Sequence, residues 1–229
     1  MGLGKTLTTL AYVLLTSDLA AEFHWADWEN HSAATLIVCP LATLSNWENE
    51  IKIHFSDSTI SFCVFHGPNR RKLSRTDLQT SMVVLTTYEM IGGRGNQDQS
   101  TIQSQNLSWF RIVLDEAHLI RNPSSHRTHH IQQLQAQFIL LLTGTPLQNR
   151  LADLQSLIAM LKCAPWDQEP IWKRCLIPKI AAGEPEAINS LTKLMQAICL
   201  RRTKAVVLTL PEKVENGILV QNSAQWEEV

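Results

Sequence analysis

The chain has 229 residues, 45% of them hydrophobic, enough to bury one large core or two small ones and too many for disorder throughout. Its 20 Lys and Arg against 21 Asp and Glu give a formal charge of -1, so no global basic field advertises nucleic acid and any such contact has to be local. The five cysteines (Cys39, Cys63, Cys163, Cys175, Cys199) form no C-x-x-C pair, which points to a reducing compartment and away from zinc, and no apolar run reaches the length of a membrane helix.

The chain opens on Gly2-Leu3-Gly4-Lys5-Thr6. Glycines let backbone N–H groups approach phosphate oxygens, and a lysine and threonine at a helix start set charge and a hydroxyl beside the anion. These residues match the second half of a G-x-x-x-x-G-K-[ST] phosphate loop, without its first glycine or the strand before it. A plain loop-to-helix start would explain them equally well. Leu7, Leu10, Val13 and Leu14 continue as the apolar stripe of a helix.

Residues 17–34 hold Phe23, Trp25 and Trp28 among acidic side chains and read as a surface insertion with some helix. Residues 35–39 predict a buried strand stopped by Pro40, and Ser45-Asn46-Trp47-Glu48 reads as a capping box opening a helix through Phe55. Residues 60–65 and 82–86 predict two more strands, the second ending in Thr87-Tyr88. Between them the basic run Asn69-Arg70-Arg71-Lys72 reads as a solvated helix face rather than a DNA contact, and residues 92–105 predict a mobile surface loop.

Ile112, Val113 and Leu114 then predict a buried strand that ends in two adjacent carboxylates, Asp115 and Glu116, followed closely by His118. Phosphate chemistry uses such a strand end, one acid holding Mg²⁺ and the other activating water; Asp115 suits the first role and Glu116 the second. The bland alternative is that both acids cap the following helix. His126, His129 and His130 beyond lack ligand partners at metal spacing and read as a hydrated face. Residues 138–142 predict an apolar strand running into Thr143-Gly144-Thr145-Pro146-Leu147-Gln148-Asn149.

Apolar strands alternating with helices imply an α/β fold, a parallel sheet with helices on both faces, whose ligands sit at the carboxyl ends of the strands. Helices over 151–161 and 186–200 with no strand between them predict a helical appendage, and residues 210–221 an extended element. The organisation expected is a sheet domain over 1–150 lacking its first strand, an appendage over 151–209, and a linker over 210–229.

The ordered set GLGKT, IVCPLATLSNW, LTTYEM, VLDEAH-x-IRN, LLLTGTPLQN and CLRRTK closely resembles the first, RecA-like ATPase lobe of Swi/Snf-type DNA translocases of helicase superfamily two. The WF-x-IVLDEAH-x-IRN form is most similar to the branch containing helicase-like transcription factor and the post-replication repair proteins. The resemblance implies that Gly2, Leu3, Gly4, Lys5 and Thr6 bind the phosphates of ATP, with Thr6 and Asp115 on Mg²⁺ and Glu116 polarising the attacking water. It implies that His118, Thr143, Gly144, Thr145 and Gln148 couple nucleotide state to DNA, and that Pro40, Asn46, Thr86, Thr87 and Tyr88 touch phosphates of double-stranded DNA. RNA helicases usually show Ser-Ala-Thr where this chain has Thr143-Gly144-Thr145, which favours duplex DNA.

Family membership further implies a nucleus, chromatin or repair partners, and a second ATPase lobe whose arginine motif raises the rate by on the order of 10³ to 10⁵. Without that lobe the chain should hydrolyse ATP poorly. Absence of the upstream strand should leave backbone groups unpaired. A reading of another class is a truncated, non-catalytic DNA- or protein-interaction module.

Overall fold

The computed structural model describes residues 3–56, 59–92, 100–122, 124–144 and 151–201. Five strands, β1 (His31–Cys39), β2 (Phe62–Phe65), β3 (Val83–Thr87), β4 (Ser108–Asp115) and β5 (Gln135–Leu142), form one parallel sheet in the order β2-β3-β1-β4-β5. Parallel strands covered by helices need apolar residues on both faces, as in the runs TLIVC, VVL and IVL. Alternation along the strands divides them between two cores: Leu36, Val38, Ile112 and Leu114 face one side, Ile37, Cys39, Val83 and Val113 the other.

On the second face lie α1 (Lys5–Leu15) and α3 (Leu41–His54), held by Leu10, Val13, Leu44, Trp47 and Ile51. The first face receives Leu78 of α4 (Arg75–Thr80), Ile131 of α5 (His126–Gln132), and Leu157 and Met160 of α6 (Leu151–Met160). Leu154 and Ile158 of α6 look the other way, toward a third cluster with Trp172, Leu176 and Ala187. That cluster is built by α7 (Glu169–Ile171), a π-helical turn Trp172–Leu176, α8 (Ile177–Ala181) and α9 (Pro185–Ile198). Among the described residues of 151–201 there is no strand. The extended element expected at 210–221 lies outside the described residues.

Several local expectations change. Strand β1 begins at His31, so the presumed insertion contributes its last residues to the sheet, with an irregular register between Ser32 and Thr35. The rest of that stretch is α2 (Ser17–Ala26), which packs on β1 and β4. Helix α3 starts at Leu41 with Pro40 as its N-cap and has no side-chain cap; the expected box at Ser45 does not form. Pro40, at φ -59° and ψ 146°, ends the strand and offers its carbonyl to both the N–H and the hydroxyl of Thr43 (2.9 and 3.0 Å). A capping box does form at Ser74, reciprocated by Asp77.

Arg70 is not solvated: it is buried and donates to the carbonyls of Gly67 (2.6 Å) and Ser100 (3.1 Å). The end of the supposed loop is likewise structured, because Ile102 is buried and the N–H groups of Ile102 and Gln103 bind the carbonyls of Met90 and Ile91. Residues 93–99 of that loop lie outside the described residues. Strand β5 stands at one edge of the described sheet and is less covered than the predicted apolar run implied, with Phe138 45% exposed.

Burial separates the thiols. It pushes Cys39 up to about 12 and raises Cys63, whereas Cys175 is exposed. At pH 8 iodoacetamide should label Cys175 in the native protein and Cys39 only after denaturation, as read by peptide mass spectrometry. Early labelling of Cys39 would mean that the end of β1 opens in solution.

Candidate functional site

The carboxyl ends of the strands gather most of the polar residues singled out in the sequence. Asp115 ends β4, paired with Leu142 of β5 on one side, while Leu114 pairs with Val38 of β1 on the other; Thr87 pairs with Cys39 one strand further. Pro40, Tyr88, Glu116 and Thr143 follow directly on these strand ends. Gly2, Thr145 and Gln148 lie outside the described residues.

Helix α1 brings its start to the same edge. Arg111, midway along β4, donates to the Thr16 hydroxyl at the end of α1 (2.8 Å) and lies under the Tyr12 ring. The chain then continues through α2 to Phe23, which stacks on His31 at the start of β1 (4.0 Å between ring centroids). Thus α1 runs antiparallel to the strands. The distance from Tyr12 back to Lys5, about 10 Å along the helix, matches the roughly 13 Å from Arg111 to Asp115 along the strand. The start of α1, with Gly4, Lys5 and Thr6, is therefore directed toward the carboxyl end of the sheet.

Gly4 is the N-cap of α1 at φ 71°, a left-handed conformation that glycine adopts freely, and no side chain caps the helix. The first-turn N–H groups are thus open to an anion at the positive end of the helix dipole. Lys5 and Thr6 are partly buried, as is Leu3. Among the described residues no ion pair engages Lys5 or Asp115.

Asp115 is 8% exposed. One oxygen accepts the indole N–H of Trp47 (Oδ2, 3.0 Å) and the other the backbone N–H of Glu116 (Oδ1, 3.0 Å). Each carboxylate oxygen has a further lone pair, so the group still has capacity for a cation. Glu116 itself sits at φ 48° and ψ 50°, a left-handed conformation costing on the order of 1–3 kcal/mol outside glycine. Its Oε2 lies 3.1 Å from His118 Nδ1, yet at an angle too poor for a hydrogen bond, so the contact is electrostatic if His118 is protonated.

The segment expected to meet DNA is mostly turned inward. Thr86 and Thr87 are fully buried, the first donating to the Phe65 carbonyl (2.9 Å). Tyr88 is buried with its hydroxyl donating to the Asp115 carbonyl (2.7 Å); burial and the neighbouring carboxylate raise its phenol far above the usual range. Any contact from these three residues in this conformation has to use backbone. Asn46, by contrast, is exposed on α3, and Pro40 is partly so. Thr143 and Gly144 follow β5, Gly144 exposed.

Sequence reasoning missed Trp47 as the partner of Asp115. The spacing of Leu44, Trp47 and Ile51 signals an inward stripe on α3, but the assumed capping box drew attention to helix entry instead. A hollow of about 410 Å³ beside His118 is lined by Arg121, Asn122 and Arg127; it adjoins the acid pair without containing it.

Chemically, one threonine hydroxyl and one carboxylate are the hard oxygen donors that Mg²⁺ takes, with waters and phosphates completing the shell. The uncapped helix start, the lysine and a carboxylate with no ion-pair partner among the described residues fit a metal-bound polyphosphate, and Glu116 lies one residue beyond.

A family profile for the SNF2-related domain matches residues 1–229. The chain is 37% identical to mouse helicase-like transcription factor over 195 residues, covering 82% of this chain and 19% of that protein. It is 32% identical to the Arabidopsis thaliana DNA repair protein RAD5B over 238 residues, covering 92% of this chain and 19% of that protein. Among solved structures it is similar to the Sulfolobus solfataricus SWI2/SNF2 ATPase core in complex with dsDNA, with a TM-score of 0.66 and 30% identity over 89% of this chain and 39% of that one. The fold is therefore RecA-like, as the resemblance implied. The chain spans about a fifth of the length of these curated relatives.

Proposed function

Because the chain belongs to the family of SNF2-related domains, we propose that it is the ATP-binding lobe of an ATPase that moves on double-stranded DNA in chromatin remodelling or repair. The observation that supports the reading is the uncapped start of α1, a helix antiparallel to the strands, directed toward the end of the sheet where β4 finishes in Asp115 and Glu116. The N–H groups of the first turn of α1 and the Lys5 ammonium bind phosphate oxygens. Thr6 and Asp115 hold Mg²⁺, which neutralises charge on the transferring phosphates. Glu116 orients the attacking water and draws on its proton, and His118 beside it sets the carboxylate's position.

Duplex DNA is the partner of the outer rim, through Asn46, Pro40 and backbone of residues 86–88, in contacts that position without reading sequence. The segment beginning Thr143-Gly144-Thr145 and reaching Gln148, together with His118, passes the nucleotide state to that rim. A second lobe completes the hydrolytic site, a reading supported by the share of the SWI2/SNF2 core that this chain covers. The relatives' roles in transcription and DNA repair support a nuclear location.

The test is a titration of the purified chain with a fluorescent ATP analogue. Binding that requires Mg²⁺ and is displaced by ATP is the expected result. A chain that is folded by circular dichroism and binds no analogue would transfer the assignment to a non-catalytic interaction module.

A further inference from the structure

Asp115 is held from both faces of the sheet. Trp47 belongs to the core under α1 and α3, and its indole N–H reaches Oδ2 from that side. Tyr88 belongs to the opposite core, and its hydroxyl binds the main-chain carbonyl of the same residue. Both side chains are at most 4% exposed, so neither contact competes with water. Tyr88 is in turn backed by Arg127, whose guanidinium lies 5.6 Å from the ring centroid and pairs with Glu89 at 3.1 Å. With Oδ1 taken by the Glu116 N–H, side chain and main chain of Asp115 are fixed at three points.

We propose that Trp47 and Tyr88 are positioning residues for Asp115, a clasp that orients its carboxylate toward Mg²⁺ and so sets the metal affinity of the nucleotide site. The inference rests on the nucleotide-binding reading above. Partners that orient a metal-ligating carboxylate commonly govern 10- to 100-fold in metal affinity. The indole bond fixes the carboxylate plane directly, whereas the phenol acts through the main chain. Trp47 therefore carries the larger share. The two residues come from the connection after β1 and the turn after β3, which makes the carboxylate sensitive to any ligand that shifts either segment.

The experiment compares the chain with Trp47→Phe and Tyr88→Phe, which remove a donor and keep an aromatic ring. At fixed fluorescent ATP analogue, the Mg²⁺ concentration for half-maximal binding should rise about tenfold in Trp47→Phe and by less in Tyr88→Phe. Binding at saturating Mg²⁺ should return to near the wild-type level, and melting temperatures without nucleotide should fall by a few degrees only. A lowered melting temperature with an unchanged Mg²⁺ midpoint in both variants overturns the clasp and leaves two packing residues. If the unmodified chain binds no analogue, the nucleotide reading fails first and the clasp with it. Should Trp47→Phe not fold, Tyr88→Phe decides alone: a raised midpoint there supports the clasp, and an unshifted one overturns it.

Discussion

Asp115→Ala should abolish Mg²⁺-dependent binding of a fluorescent ATP analogue, and Lys5→Ala should weaken it by about 10- to 100-fold. The lysine figure follows from one charge-assisted hydrogen bond to phosphate, about 1.5–3 kcal/mol, at roughly 1.4 kcal/mol for each factor of ten. In the proposed site Asp115 is the one carboxylate assigned to the ion, because Glu116 is assigned to the attacking water. The same replacement leaves the Trp47 indole N–H buried without its acceptor, at a cost of about 1–3 kcal/mol. Circular dichroism and a melting curve accompany the titration for that reason. Full binding by Asp115→Ala would remove the metal role from this residue; intact binding by Lys5→Ala would leave the phosphates to the helix N–H groups alone.

The strands were legible because a parallel sheet buried on both faces demands unbroken apolar runs, and TLIVC, VVL and IVL supply them. The position of the acid pair was legible too, since an apolar run ending abruptly in Asp115 and Glu116 can only place them at a strand end. What the chain conceals is tertiary. The indole of Trp47 meets a carboxylate 68 positions away, and Arg111 meets a threonine 95 positions away. Neither separation leaves a periodic trace. The Ser45 box failed for a local reason: Pro40 already supplies the turn and the first acceptor, so the helix starts five residues earlier. Arg70 misled because a run of basic residues looks solvated whichever of them folds inward.

Arg111→Ala should destabilise the protein by about 2–5 kcal/mol, the range for emptying a core position, while Arg111→Met should restore all but about 1 kcal/mol. Arg111 is 1% exposed in mid-strand, and among the described residues it has no carboxylate partner. Its guanidinium donates to Thr35 (3.1 Å) and Thr16 (2.8 Å), and lies 4.4 Å from the Tyr12 ring centroid and 5.0 Å from that of Phe110. Burial works against the charge, pulling its pKa below the usual arginine value, and Nε has no hydrogen-bond partner. Two hydrogen bonds and two cation–π contacts offset a desolvation penalty of several kcal/mol, so the charge comes out close to neutral. The volume does not. A methionine fills most of the space between α1 and β4 without carrying a charge there, and Thr16 keeps its bond to the Tyr12 carbonyl (2.7 Å). Urea unfolding at constant slope measures both variants. Equal losses for Ala and Met would mean that the guanidinium contacts, rather than the filled space, hold α1 on the sheet.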